Sequence, residues 1–177
     1  MLHGRDIVIV AYLLAAPRES PDKITISKIS DVLGMDVGSV HRSLKRLTEA
    51  RLLVSTSRRV GIAQAEEFLV HGLRYVFPPK HGGEARGVPT SWAAPPLSEH
   101  LSHTNSPRPV WVHPRGQVRG VALEPLHSSV PELALRDETM HRQLALVDGL
   151  RSDETRVRRM SRELLFGHHD AAGEVDP

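Results

Sequence analysis

Between residues 41 and 60, six cationic side chains (Arg42, Lys45, Arg46, Arg51, Arg58 and Arg59) face a single carboxylate, Glu49. That local charge of +5 exceeds the +2 of the whole chain, so a polyanion is drawn to this segment and not to the molecule at large. Ser39, His41 and Ser43 add hydroxyl and imidazole groups that can reach base edges or phosphates, and arginine can pair bidentately with guanine. Other clusters offer less chemistry. His100/His103 and His168/His169 have spacings that suit a metal, but no third ligand is placed and the chain has no cysteine, so no metal is expected. No Gly-x-Ser-x-Gly, phosphate-cradling glycine loop or carboxylate pair in a pocket motif is present, and neither enzyme activity nor a cofactor is expected. Arg156, Arg158, Arg159 and Arg162 form a second basic cluster. Glu154–Arg158 and Arg159–Glu163 pair at i,i+4 there, which reads as a solvated helix face.

The elements that position the first cluster follow from periodicity. Ile7, Val8, Val10, Ala11 and Leu14 form a helical stripe ended by Pro17 and the polar residues 18–22. Ile24-Thr25-Ile26 alternates like a short strand. Ser27 suits the N-cap of a helix that buries Ile29, Val32 and Leu33, with Gly34 as its terminator. Asp36 then caps a helix over 36–50, in which Val37, Val40, Leu44 and Leu47 make one apolar face. Residues 51–57 are rich in strand formers and lead to Arg58-Arg59, and 62–76 is helical again with Phe68, Leu69, Leu73 and Val76. A short helix, a turn of about three residues, a basic amphipathic helix and a β-prone stretch make the helix-turn-helix pattern with a following wing. Packing of the apolar face leaves Ser39, His41, Arg42, Ser43, Lys45 and Arg46 projecting outward on a rod narrow enough for the major groove. Gly38, costly in a helix, is consistent with close approach to DNA or to a neighbouring helix.

The segment from Ile26 to Val54 resembles the winged helix-turn-helix of MarR-like bacterial transcription regulators. The resemblance is carried by Ser39, Val40, His41-Arg42 and the run Leu44–Leu47, and covers about 70 residues. It implies sequence-specific binding of double-stranded DNA, usually as a homodimer. The short wing and the remainder of the chain depart from that family, so its dimer geometry and effector binding do not carry over.

Nine of the chain's 13 prolines fall in 77–130, and the stretch from Arg86 to Leu97 has no clear period. Val110-Trp111-Val112, a Pro114-Arg115-Gly116 turn and Val118–Leu123 read as a β-hairpin. Pro131 suits a first helical position. Met140, Leu144 and Val147 share a stripe in a helix that Gly149 weakens or ends, and Ser152 can cap another helix carrying Val157, Met160 and Leu164. Trp92 and Trp111 read as core anchors, with a pocket lining as the alternative; the stripes read as core, with a dimer interface as the alternative. The expected fold is mainly α with small β: a winged helix-turn-helix over 5–76, a mixed region over 77–166 for dimerisation, partner binding or sensing, and a frayed tail over 167–177. An aromatic share of 4% is too poor for stacking unpaired bases along a sheet. No apolar run approaches a membrane span, and Asp6 breaks the signal-peptide look of the start, so a cytoplasmic protein is expected. Its expected partners are double-stranded DNA through Ser39, His41, Arg42, Ser43, Lys45, Arg46, Arg58 and Arg59, and a second copy of itself, with a protein docking on 77–166 as a further option. The alternative role is a protein-interaction or antitoxin-like module that uses the same scaffold without DNA specificity.

Overall fold

A computed structural model describes residues 1–16, 24–54, 58–101 and 107–170. It is mainly helical with one small three-stranded sheet. Helix α1 (Gly4–Ala15) is the centre of the core: Ile7 to Ala11 are fully buried without interruption, so the helix is enclosed on every side and not along one stripe. Two helices follow, α2 (Ile26–Leu33) and α3 (Val37–Glu49). Thr25, not Ser27, caps α2, its hydroxyl accepting from the Lys28 N–H at 3.1 Å; the short strand expected at 24–26 is instead the entry to this helix. Gly34 ends α2 in the left-handed region (φ 64°), a conformation that costs glycine little, and Met35 and Asp36 complete a three-residue turn. Asp36 caps α3 by accepting from the Ser39 N–H at 2.8 Å. The polar residues expected to end α1, and Ser55–Ser57 of the β-prone stretch, lie outside the described residues.

A continuous helical run follows as α4 (Ile62–Glu67), a π turn (Phe68–Gly72) and α5 (Leu73–Val76). Strand β1 (His81–Pro89) then emerges where sequence reading saw only loop. A 3-10 turn (Ser91–Ala93), the short helix α6 (Leu97–His100), β2 (Pro109–Val112) and β3 (Val118–Leu123) complete the middle of the chain. The expected hairpin does not form. β1 pairs antiparallel with both other strands, with β2 through Val88↔Trp111 and with β3 through Glu84↔Val121, while β2 and β3 run parallel through Val110↔Ala122. The three strands close on themselves. A barrel this small needs missing side chains: a Cβ on Gly87 would lie 2.1 Å from the Trp111 carbonyl oxygen, and one on Gly120 2.0 Å from that of Arg108.

Helices α7 (Val130–Arg136), α8 (Glu138–Arg151) and α9 (Thr155–Asp170) finish the fold. Pro131 occupies the first turn of α7, as its fixed φ favours. α8 packs against α1, so buried residues from both halves of the sequence share one apolar cluster. At the other face of α8 lies a buried polar knot. The Asp148 carboxylate accepts from Thr90 Oγ1 (2.9 Å), Trp111 Nε1 (2.8 Å) and Arg151 Nη1 (2.6 Å), and Arg151 also donates to the carbonyls of Phe77, Pro78 and Glu124. Trp111 is thus a core anchor with its indole N–H satisfied.

α9 runs through Asp170, and residues 171–177 of the expected tail lie outside the described residues. Gly149 does not end its helix but sits within it, at the closest approach of α8 to α9: a Cβ there would lie 2.0 Å from Ser161 Oγ and 2.8 Å from Leu97 Cδ1. Ser161 is fully buried and donates to the Val157 carbonyl, so it has little room to give. Gly149→Ala gains about 1 kcal/mol of helix propensity but overpacks this crossing by about 1–3 kcal/mol. The expected outcome is a net loss of stability by chemical denaturation. A more stable variant would show that the crossing relaxes freely.

Candidate functional site

Helix α3 is held from behind. Val40, Leu44 and Leu47 are buried, as their spacing predicts, but Val37, the first residue of α3, is 54% exposed. The polar residues divide in a way that corrects the expected surface. Ser39 and Ser43 are buried and do not project outward. Ser39 Oγ accepts from Arg5 Nη1 (3.2 Å) and Arg42 Nη2 (3.0 Å), and Ser43 Oγ accepts from Arg46 Nη2 (3.0 Å). Arg46 turns back as well, gripping Asp6 of α1 with two hydrogen bonds, Nε to Oδ2 at 2.9 Å and Nη2 to Oδ1 at 2.6 Å. A helical wheel explains the division: at about 100° per residue, Ser43 lies about 40° from Leu47 and Ser39 about 40° further round. Both therefore border the apolar stripe, on the flank facing α1.

His41, Arg42 and Lys45 occupy the opposite, exposed side of α3, together with Gly38. A Cβ on Gly38 would meet only the side-chain ends of Arg42 and Asp36, so of the two reasons for a glycine there, proximity to a neighbouring helix does not apply. After α3 the residues 52–54 and 59–61 pair with each other: Leu53 and Val60 form an antiparallel bridge, Val54 N–H donates to the Arg59 carbonyl and Gly61 N–H to that of Leu52. Arg59 is exposed on the second of these stretches. Arg58 is half-buried and donates to the Ile24 carbonyl at 2.7 Å, so its guanidinium ties that stretch to the start of α2 and is not wholly presented to solvent. Val37 and Arg5 belong to this neighbourhood and were missed; the wheel angle would have flagged Arg5's partner Ser39, but nothing local in the sequence marks Arg5 itself.

Electrostatics make the Asp6–Arg46 contact decisive. Burial alone pushes the Asp6 carboxyl up, but hydrogen bonds from Arg46, Ser43 and the His3 N–H, with the nearby Arg46 charge, outweigh it and hold it below the usual carboxylate range. Asp36 is likewise held low by the hydrogen bonds it accepts from Ser39.

Among the described residues no group of three or more His, Cys, Asp and Glu is placed to hold a metal; His100 is exposed and His103 lies outside the described residues. Also among the described residues, no helix is long and apolar enough to cross a membrane. In the second basic cluster, Arg159 lies 3.9 Å from Glu163, Arg162 reaches across to Glu66 of α4 at 2.7 Å, and Arg158 donates to the Ser152 carbonyl and to Thr155 Oγ1. Ser152 follows the end of α8 and accepts from the Glu154 N–H at 3.2 Å, just ahead of α9.

Because the folded-state pKa of Asp6 is depressed, its contribution to stability is full above the unfolded carboxylate value of about 3.9 and is lost as pH falls through the lower folded value. Arg46→Ala leaves a buried carboxylate without its counter-charge and is expected to cost about 3 kcal/mol near neutral pH. In that variant burial raises the Asp6 pKa, so its stability should recover on mild acidification, the opposite of the parent protein. Denaturant midpoints measured from pH 7 down to the carboxylate range check this; parallel pH curves for the two proteins would contradict it. Compared with family models, curated proteins and solved structures, the chain matches none, so the role of its site rests on its own geometry.

Proposed function

We propose that the chain is a sequence-specific, double-stranded-DNA-binding transcriptional regulator that works as a homodimer and reads the major groove with α3. In this reading α2, the three-residue turn, α3 and the paired residues 52–54 and 59–61 belong to a winged helix-turn-helix of MarR-like type. The observation that carries it is the sidedness of α3. Its back is locked by Val40, Leu44, Leu47 and the Arg46–Asp6 pair, and its front presents His41, Arg42 and Lys45 to solvent. A rigid helix with a cationic exposed face is the tool that major-groove recognition requires.

The roles of the individual residues differ from those expected from sequence. Arg42 and His41 are the base readers, with the exposed Val37 placed to touch a thymine methyl. Lys45 and Arg59 hold phosphates. Ser39, Ser43 and Arg46 position the helix: Ser39 steers Arg42, while Ser43 and Arg46 fasten α3 to α1. Arg58 braces residues 59–61 against the start of α2. In a dimer, the two copies of α3 would lie about 34–36 Å apart to meet successive major grooves.

The test is unbiased binding-site selection with the purified chain, followed by titrations at several salt concentrations. Selection should enrich an inverted repeat. Arg42→Ala should weaken binding to it by about 1–3 kcal/mol and relax the preference at one position in each half. Lys45→Ala should weaken all sequences alike and lower the salt slope by about one. Failure to enrich any sequence, or titrations unmoved by both substitutions, would remove α3 from the role and favour a protein-interaction module instead.

A further inference from the structure

The first turn of α1 is fixed on two sides. Gly4 lies against the segment that follows β3, where a Cβ would come within 1.9 Å of the Leu126 carbonyl oxygen, and Asp6 is gripped by Arg46 of α3. Arg5 stands between these two anchors, so its backbone has one place relative to α3. From there its guanidinium crosses to α3 and donates from Nη1 to Ser39 Oγ at 3.2 Å. The same oxygen accepts from Arg42 Nη2 at 3.0 Å. The two guanidinium groups thus lie within about 6 Å of each other, close enough for like charges to repel.

No carboxylate neutralises that pair. Among the described residues neither Arg5 nor Arg42 has an ion-pair partner, and what joins them is a neutral hydroxyl. Asp6 is taken by Arg46, and Asp36 accepts from the Ser39 N–H without a hydrogen bond to either guanidinium. His127 lies within electrostatic reach of Arg5; burial first, and then the Arg5 charge, hold its pKa below the usual imidazole value, so it is uncharged at neutral pH. Arg5 is half-buried and Arg42 exposed. A guanidinium carries five N–H donors, and each of these two spends one on Ser39. Two positive charges held at a neutral oxygen, with donors to spare, suit an anion that offers several acceptor oxygens, as a phosphate does.

We propose that Arg5 is a further DNA-contacting residue, which donates to the backbone phosphate flanking the base that Arg42 reads. This rests on the DNA-binding reading above and extends the interface from α3 to α1. The division of labour follows from where each side chain is rooted. Arg42 belongs to the helix that enters the groove, whereas Arg5 comes from the helix beside it and stays at the rim, where the phosphates run. Ser39 sets the spacing between the two cationic heads, and the phosphate brings the negative charge that the pair lacks. Contacts of this kind fix register and add affinity without reading sequence.

The experiment uses the whole chain and the duplex enriched by site selection, made also with one uncharged methylphosphonate at each backbone position in turn. The parent should lose about five- to tenfold in affinity when one particular phosphate in each half is replaced. Arg5→Ala should show a similar loss on the unmodified duplex, a salt slope lower by about one for each half and an unchanged base preference. It should lose nothing further at that one phosphate while staying sensitive at the others, a pattern that a displaced α3 would not give. Arg5→Lys keeps the charge and should recover part of the affinity and the sensitivity at the same position. If Arg5→Ala binds like the parent while Lys45→Ala weakens binding, or if Arg5→Ala matches the parent's sensitivity at every phosphate, the role of Arg5 falls and the DNA-binding reading stands. A parent chain that enriches no duplex overturns both.

Discussion

A carboxylate inside a protein is tolerated only where donors surround it, and Asp148 is the place where this chain meets that condition most fully. Its three donors come from distant parts of the sequence: Thr90 after β1, Trp111 in β2 and Arg151 one turn further along α8. Arg151 must in turn satisfy its own N–H groups, which it does on the carbonyls of Phe77, Pro78 and Glu124. One ion pair therefore dictates where the barrel sits against α8, where the run of α4 and α5 ends and where β3 exits.

The Asp6–Arg46 pair does for α3 what the Asp148 knot does for the barrel. Arg46 was legible as a cation but not as an internal one, because the sequence does not say which helix lies against its flank. Residues that respond to local geometry were read correctly: Gly34 as a terminator, Asp36 as a cap, and Val40, Leu44 and Leu47 as the buried stripe. Ser39, Ser43 and Arg46 turn inward although their polarity alone suggests solvent. On the flank of an apolar stripe, a serine or arginine is as readily a fastener between helices, provided that each donor finds an acceptor.

The same distinction runs through the rest of the fold. Helices with clear periodicity are legible as helices, as with Met140, Leu144 and Val147 in α8, although α1 is buried on more sides than its expected stripe. The barrel was not, because its pairing is non-local. β1 reads His-Gly-Gly-Glu-Ala-Arg-Gly-Val-Pro, a poor strand sequence whose glycines and proline argue for loop, and it becomes a strand only because β2 and β3 supply partners. Without β1 in view, the turn between β2 and β3 implies a hairpin; because both pair antiparallel with β1, they run parallel to each other. Gly149 misled for a related reason, since a glycine within a helix signals either its end or a close neighbour, and only the packed structure shows Ser161 beside it.

The enclosure of α1 has a corollary for how the molecule can be divided. Its residues Ile7 to Ala11 lie in one apolar cluster with side chains of α3 on one hand and of α8 on the other. Excising the first 76 residues would strip that rod of its C-terminal jacket and leave greasy surface open to water, inviting self-association. A genetic fusion or a shuffled chimera that borrows only this segment must therefore bring a substitute for α8, or the borrowed piece will arrive as an aggregate.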